Sequence, residues 1–180
     1  MNQSVVIAPI AESLKSFLGT LNYSKVFVIV DQNTKKLCYP LVKPVLPKHK
    51  LVTIPAGEPF KVLSTCETIW EAMTEEELDR HALVINIGGG VIGDMGGFCA
   101  SVYKRGIDFI QIPTTLLAQV DASVGGKLGI DFKGLKNHLG VFQIPNSVLI
   151  DPIFLQTLPE REIRSGFAEI IKHCVIADGK

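Results

Sequence analysis

The chain has no run of apolar residues approaching the roughly 18 that a membrane-spanning helix needs, so no membrane partner is expected. Net charge is missing as well. The 18 lysines and arginines balance 18 aspartates and glutamates, and nothing in the bulk charge calls for nucleic acid or another polyanion. Cysteine is sparse: Cys38, Cys66, Cys99 and Cys174 are scattered without C-x-x-C spacing. Met1 to Ile10 has neither the basic start nor the apolar centre of a secretory signal before it meets Pro9. Reduced thiols in a cytoplasmic protein are the expectation. Internal repeats and low-complexity segments are also missing. What is there is a 180-residue chain that is 47% hydrophobic, enough to bury the core of one globular domain or slightly more.

The feature around which the chain is organised is Ile85-Asn86-Ile87-Gly88-Gly89-Gly90-Val91-Ile92-Gly93-Asp94-Met95-Gly96-Gly97-Phe98. Leu83 to Ile87 reads as a buried strand and the glycines as a tight turn. Val91 onward reads as a helix whose first backbone N–H groups lack intrahelical partners. Such a helix start attracts phosphate through those N–H groups and the positive end of its dipole. Gly88, Gly90 and Gly93 also fit G-x-G-x-x-G, a weak pattern alone, because glycine equally serves turns and close packing.

The flanking segments alternate strand and helix. Ser4 to Ala8 reads as a strand and Ala11 to Leu18 as a helix closed by Gly19. Lys25 to Val30 is almost wholly apolar and β-branched, as in a parallel strand covered on both faces. It ends at Asp31, which can either accept from a ribose hydroxyl or cap the next helix with Asn33 and Thr34. After Pro40, Pro44 and Pro47 come a strand at Leu51 to Ile54, a loop through Lys61, and a helix over Val62 to Met73 with Trp70 in its buried stripe. Thr74 is expected to open a capping box with Glu77. Phe109 to Ile112 reads as a strand ending in Thr114 and Thr115, whose hydroxyls can bond a ligand or cap a helix. Helical spacing over Leu116 to Val120 leads to Asp121 and then Lys127, a lysine beside Gly125 and Gly126 that suggests an anion site. Leu128 stands where a P-loop needs a hydroxyl, which excludes that motif. Lys133 to His138 is polar and turn-rich, and Ser147 to Ile150 is the last strand. From Pro159 the spacing marks an amphipathic helix interrupted at Gly166. On it Glu169, Lys172 and His173 share a face, either as a weak surface ion pair or with Glu169 and His173 reaching one metal. The alternation favours a doubly wound parallel sheet.

Several of these segments, in order, closely resemble the 3-dehydroquinate synthase family: Gly88 to Asp94, Tyr103-Lys104-Arg105-Gly106, Gln111 to Ala118, Val120 to Lys127, Lys136-Asn137, Thr157-Leu158-Pro159, Arg161-Glu162 and Gly166 to His173. The resemblance implies an α/β, Rossmann-like, doubly wound and mostly parallel sheet over residues 1–158. It places the first helix of a C-terminal helical domain at residues 159–180. It also implies conversion of 3-deoxy-D-arabino-heptulosonate 7-phosphate to 3-dehydroquinate and phosphate, in the shikimate pathway to aromatic amino acids, by a homodimer with bound NAD and a divalent metal, zinc or cobalt.

On the matching positions, NAD is implied at Asp31, Glu58, Lys61, Gly89, Gly90, Val91, Ile92, Gly93, Asp94, Thr114, Thr115, Lys127, Lys136, Phe154, Leu155, Gln156 and Thr157. Asp121, Lys127, Asn137 and Lys172 resemble the residues facing nicotinamide and substrate. Arg105 resembles one reaching a phosphate across a dimer interface, and Glu169 the first metal ligand. Ala122, Leu128 and Asp131 stand where many members carry serine, threonine and asparagine, a variation within the family. The family's two histidine ligands fall beyond Lys180, and His138 and His173 are not at those positions. The 180 residues alone are therefore expected to leave the metal site incomplete, not to turn over, and to bind NAD weakly at best. Two other readings are a different sugar-phosphate cyclase, such as one making 2-deoxy-scyllo-inosose or valiolone rings, and a non-catalytic dinucleotide-binding module.

Overall fold

The computed structural model describes residues 4–177. In chain order the elements are β1 (Val5–Ile7), α1 (Ile10–Leu18), β2 (Val26–Asp31), α2 (Gln32–Leu37), α3 (Tyr39–Val42), β3 (His49–Ile54), α4 (Leu63–Glu75), β4 (Leu83–Gly88), α5 (Gly90–Val102), β5 (Asp108–Pro113), β6 (Lys127–Phe132), β7 (Leu135–Phe142), β8 (Ser147–Ile150) and α6 (Glu160–Ala177). Six strands make one sheet in the order β1-β8-β5-β4-β2-β3, and every pairing is parallel. The chain is thus an α/β protein with a Rossmann-like sheet, as its patterning predicts.

The apolar run of β2 explains why this sheet is covered on both sides. Successive side chains of a strand point to opposite faces. Phe27 and Ile29 accordingly enter a core with Ile69, Met73, Met95 and Phe109, while Val26, Val28 and Val30 enter a second core with Leu14, Val42, Ile85 and Leu149. β2 and β4 lie side by side, with Val30 opposite Ile87. The chain leaves β2 towards β3 on one side, then returns at β4 on the other and continues to β5. The connections diverge between β2 and β4, and their carboxyl ends, Asp31 and Gly88, border the crevice where open α/β sheets take ligands.

Two local expectations are corrected and a third is sharpened. α4 runs through Thr74, whose hydroxyl donates to Trp70 O at 2.7 Å, and no helix starts there; Glu77 instead turns back with φ 52°. α6 is not interrupted at Gly166. That glycine is the buried residue by which the helix lies against Leu116, whose Cβ is 2.6 Å from where a side chain would begin. The polar, turn-rich stretch from Lys133 holds one tight turn, Lys133 (φ 49°) and Gly134 (φ 79°), and beyond it is the second strand of an antiparallel hairpin, β6–β7. Two successive left-handed residues are the backbone of a type I′ turn, and Lys-Gly is a weaker signal for it than Asn-Gly.

Gly88 shows how tightly the turn is built: a Cβ there would sit 2.4 Å from Ile92 Cβ. Gly88→Ala is expected to lower stability by about 1–3 kcal/mol through overpacking. Urea unfolding measures this, and an unchanged midpoint would contradict the packing.

Candidate functional site

The glycine turn feeds directly into α5. Gly89 stands at the N-cap without a side-chain cap, and the first amide to bond backwards is that of Gly93, to Gly89 O at 3.0 Å. The amides of Gly90, Val91 and Ile92 are therefore the unsatisfied donors of a 13-residue helix. Both readings of Asp31 coexist. Its Oδ1 accepts from Asn33 N and Thr34 N, each at 2.8 Å, in a capping box, and these bonds leave Oδ2 uncommitted. The two threonines divide their roles. Thr115 Oγ1 accepts from Ala118 N at 3.2 Å, while Thr114 is buried beside Cys38, whose thiol burial pushes up to about 11. Phe154 is a core side chain, and Leu155, Gln156 and Thr157 follow it in a 3-10 turn capped by Asp151.

The centre of the site is a lysine. Lys61 Nζ donates to Asp94 Oδ2 and to Asn137 Oδ1, both at 2.6 Å, with 4% of the lysine side chain and 21% of the aspartate exposed. One ammonium thus joins the loop before α4, the second turn of α5 and strand β7. Lys61 O accepts from Asp131 N at 2.8 Å, so the same residue also holds β6. Lys136 pairs with Glu58 at 3.1 Å on the exposed side, a contact worth at most about 1 kcal/mol. Burial raises Asp94 above its ordinary 3.8, with the Lys61 charge pulling it back.

The hairpin so fixed forms one wall of a cavity of about 520 Å³. Asp94, Asp121, Lys127, Asn137 and His138 face it together with apolar Leu128, Val141 and Phe142. Asp121 comes from a π-helical turn, Ala118–Ala122, a rare geometry that often marks a functional site. Behind Asp121 stands α6. His173 Nε2 is 3.2 Å from Asp121 Oδ1 and 3.6 Å from Glu169 Oε1, and Lys172 pairs with Glu169. One donor atom from each of Asp121, Glu169 and His173 lies within 4.8 Å of the others, and among the described residues no other such trio converges. Two carboxylate oxygens and an imidazole nitrogen suit a divalent ion such as zinc. Helix spacing offered Glu169 and His173 as a metal pair, whereas the resemblance implied Glu169 alone and set both histidines aside; the structure puts His173 beside Glu169 and Asp121, and His138 on the cavity wall. Arg105 is not brought there: it follows the C-terminal end of α5, about 20 Å along the helix from Gly90. It stands in a left-handed turn, Lys104 (φ 50°), Arg105 (φ 69°) and Gly106 (φ 109°).

Sheet order, glycine turn and crevice define a doubly wound α/β protein with its site at the carboxyl edge of the strands. The pattern described as 3-dehydroquinate synthase N-terminal matches residues 51–165, and the chain belongs to this family. A 3-dehydroquinate synthase from Parabacteroides distasonis is 48% identical over 97% of this chain and 50% of its own length. One from Sulfurovum sp. is 58% identical over 73% of this chain and 38% of its own. The chain thus spans about half the length of the curated relatives it matches, or less. Among solved structures, ValA, the 2-epi-5-epi-valiolone synthase of Streptomyces hygroscopicus with NAD+ and Zn2+ bound, is 35% identical with a TM-score of 0.87, covering 96% of this chain and 49% of that one. A 2-deoxy-scyllo-inosose synthase complexed with carbaglucose-6-phosphate, NAD+ and Co2+ is 25% identical, with a TM-score of 0.86 over 94% and 47%.

Lys61→Met leaves Asp94 partly buried without its counter-charge. Because Asp94 is raised, the folded state binds its proton more tightly than the unfolded chain does. Its contribution to stability is therefore fullest at acid pH and declines as pH climbs through the raised value. The variant is expected to lose about 3 kcal/mol at pH 8 and less at pH 5, where the acid can neutralise itself. Urea unfolding at both pH values measures this, and equal losses would contradict it.

Proposed function

We propose that this chain is the cofactor-binding half of a 3-dehydroquinate synthase acting on 3-deoxy-D-arabino-heptulosonate 7-phosphate, with α6 opening a second, helical domain. The observation that carries the reading is the convergence on one cavity of Asp94, Lys127 and Asn137 with Asp121, which in turn meets Glu169 and His173. The relatives at 48% and 58% identity bear that name, whereas the cyclases at 35% and 25% make other rings. Those two identities are also what favours the second reading, another sugar-phosphate cyclase on the same fold.

NAD bound here would accept and return a hydride, and a divalent metal would acidify a substrate hydroxyl. Every other contribution comes from the chain. The free amides of Gly90, Val91 and Ile92 suit a pyrophosphate, and Asp31 Oδ2 a ribose hydroxyl. Glu169 would supply one ligand of the metal, with donor atoms of His173 and Asp121 within 4.8 Å of its own, and Lys172 would serve the substrate. Lys127 and Asn137 face the cavity, where they can stabilise the charge of a departing phosphate. Arg105, distant from its own site, acts on that phosphate only from a second copy, which is why a homodimer belongs to the proposal. Cytoplasmic placement belongs to it too, supported by free Cys38, Cys66, Cys99 and Cys174. Among the described residues no helix is long and apolar enough to cross a membrane.

The natural polypeptide, given the heptulosonate phosphate, NAD and zinc, is expected to release phosphate and form 3-dehydroquinate; no release would refute the reading. Glu169→Ala is expected to remove bound zinc and cut turnover by more than about 100-fold, since even outer-shell partners of a metal site cost 10–100-fold. Metal analysis with kinetics tests this, and retained zinc with retained turnover would refute the assignment.

A further inference from the structure

We propose that His138 is an additional substrate-contacting residue, an anion-facing donor that meets the phosphate of the sugar-phosphate substrate beside Lys127 and Asn137. The inference rests on the proposed function for its ligand class, and on hairpin geometry for its residue.

In a regular strand, Asn137 and His138 would point to opposite faces. Here the ladder is broken. Ile130 pairs with Leu139 and Phe132 with Leu135, so Asp131 alone opposes Lys136, Asn137 and His138. Asn137 takes a left-handed φ of 50°, held by its N–H donating to Asp131 Oδ1 at 2.8 Å. An irregularity of this kind re-aims side chains. Both Asn137 and His138 consequently line the cavity.

The charges around that cavity then decide what it suits. Asp94 is taken by Lys61, and Asp121 faces His173 at 3.2 Å. The Lys61 ammonium also claims Asn137 Oδ1, which fixes the amide and leaves its NH2 group to donate. The side chains of Lys127 and His138 carry no ion pair or hydrogen bond among the described residues, and Lys127 acts on Asp94 only through its charge. The wall therefore offers an ammonium, an amide NH2 and an imidazole N–H, with its acids already committed. That set matches a multiply charged oxyanion.

The test uses the natural polypeptide with NAD and zinc. His138→Ala is expected to raise KM for the heptulosonate phosphate, and to weaken inhibition by inorganic phosphate, each about tenfold, as for loss of one charge-assisted hydrogen bond. NAD affinity and the thermal midpoint should hold. His138→Lys, which keeps an N–H donor at that position, should restore phosphate inhibition to within about threefold. Unchanged KM and unchanged inhibition in His138→Ala would overturn the proposal. If the wild type does not turn over, the proposed function has failed, and the His138 contact is read separately from its imidazole NMR signals, assigned with the Ala variant. A shift on titration with inorganic phosphate supports the contact, and no shift overturns it.

Discussion

A single buried ammonium organises the site. Lys61 leaves the loop after β3, passes under the hairpin and bonds both Asp94, in the first turns of α5, and Asn137, on β7. A lysine 4% exposed is costly to desolvate, and what makes it tolerable is that its charge meets a carboxylate and a carbonyl oxygen at short range. The cost is repaid in geometry. Asp94 is fixed beside the unsatisfied amides of α5, and Asn137 is held in a backbone conformation that few residues other than glycine adopt. The hairpin, absent from the main sheet, is thereby held against α5, where it lines a cavity with Asp94 and Asp121.

The glycine turn has more than one task. Gly88 is small because Ile92 closes on it, and Gly96 because Asn86 Oδ1 would lie 2.1 Å from a Cβ there. Packing thus accounts for part of the glycine pattern, and the three free amides at Gly90, Val91 and Ile92 account for its chemistry. α6 contributes differently. It touches the domain through Gly166 and brings Glu169 and His173 to Asp121, while Phe167, Ile171, Val175 and Ile176 of the same helix remain exposed.

Much of this was readable from residue order. β2, β4 and β5 were legible because parallel strands buried on both faces are almost continuously apolar, and α5 because a glycine turn follows β4. The hairpin was not legible. Its alternation is broken at Asp131 and Asn137, its exposed strand is polar, and its turn is Lys133-Gly134. Missing it hid the Lys61 contacts and the placement of His138, which depend on a pairing more than 70 residues away along the chain. Asp31 could be read as cap or ligand group, and a carboxylate with two oxygens can be both. Arg105 stands at the far end of α5 from the glycine turn, a separation set by the length of that helix.

The central claim, that the Lys61 contacts hold the hairpin against α5, is tested most directly by hydrogen–deuterium exchange on Lys61→Met. The account predicts that amides of β6 and β7, including Asp131 and Leu139, lose protection while those of β2 and β4 keep theirs. Unchanged protection across the hairpin would contradict it.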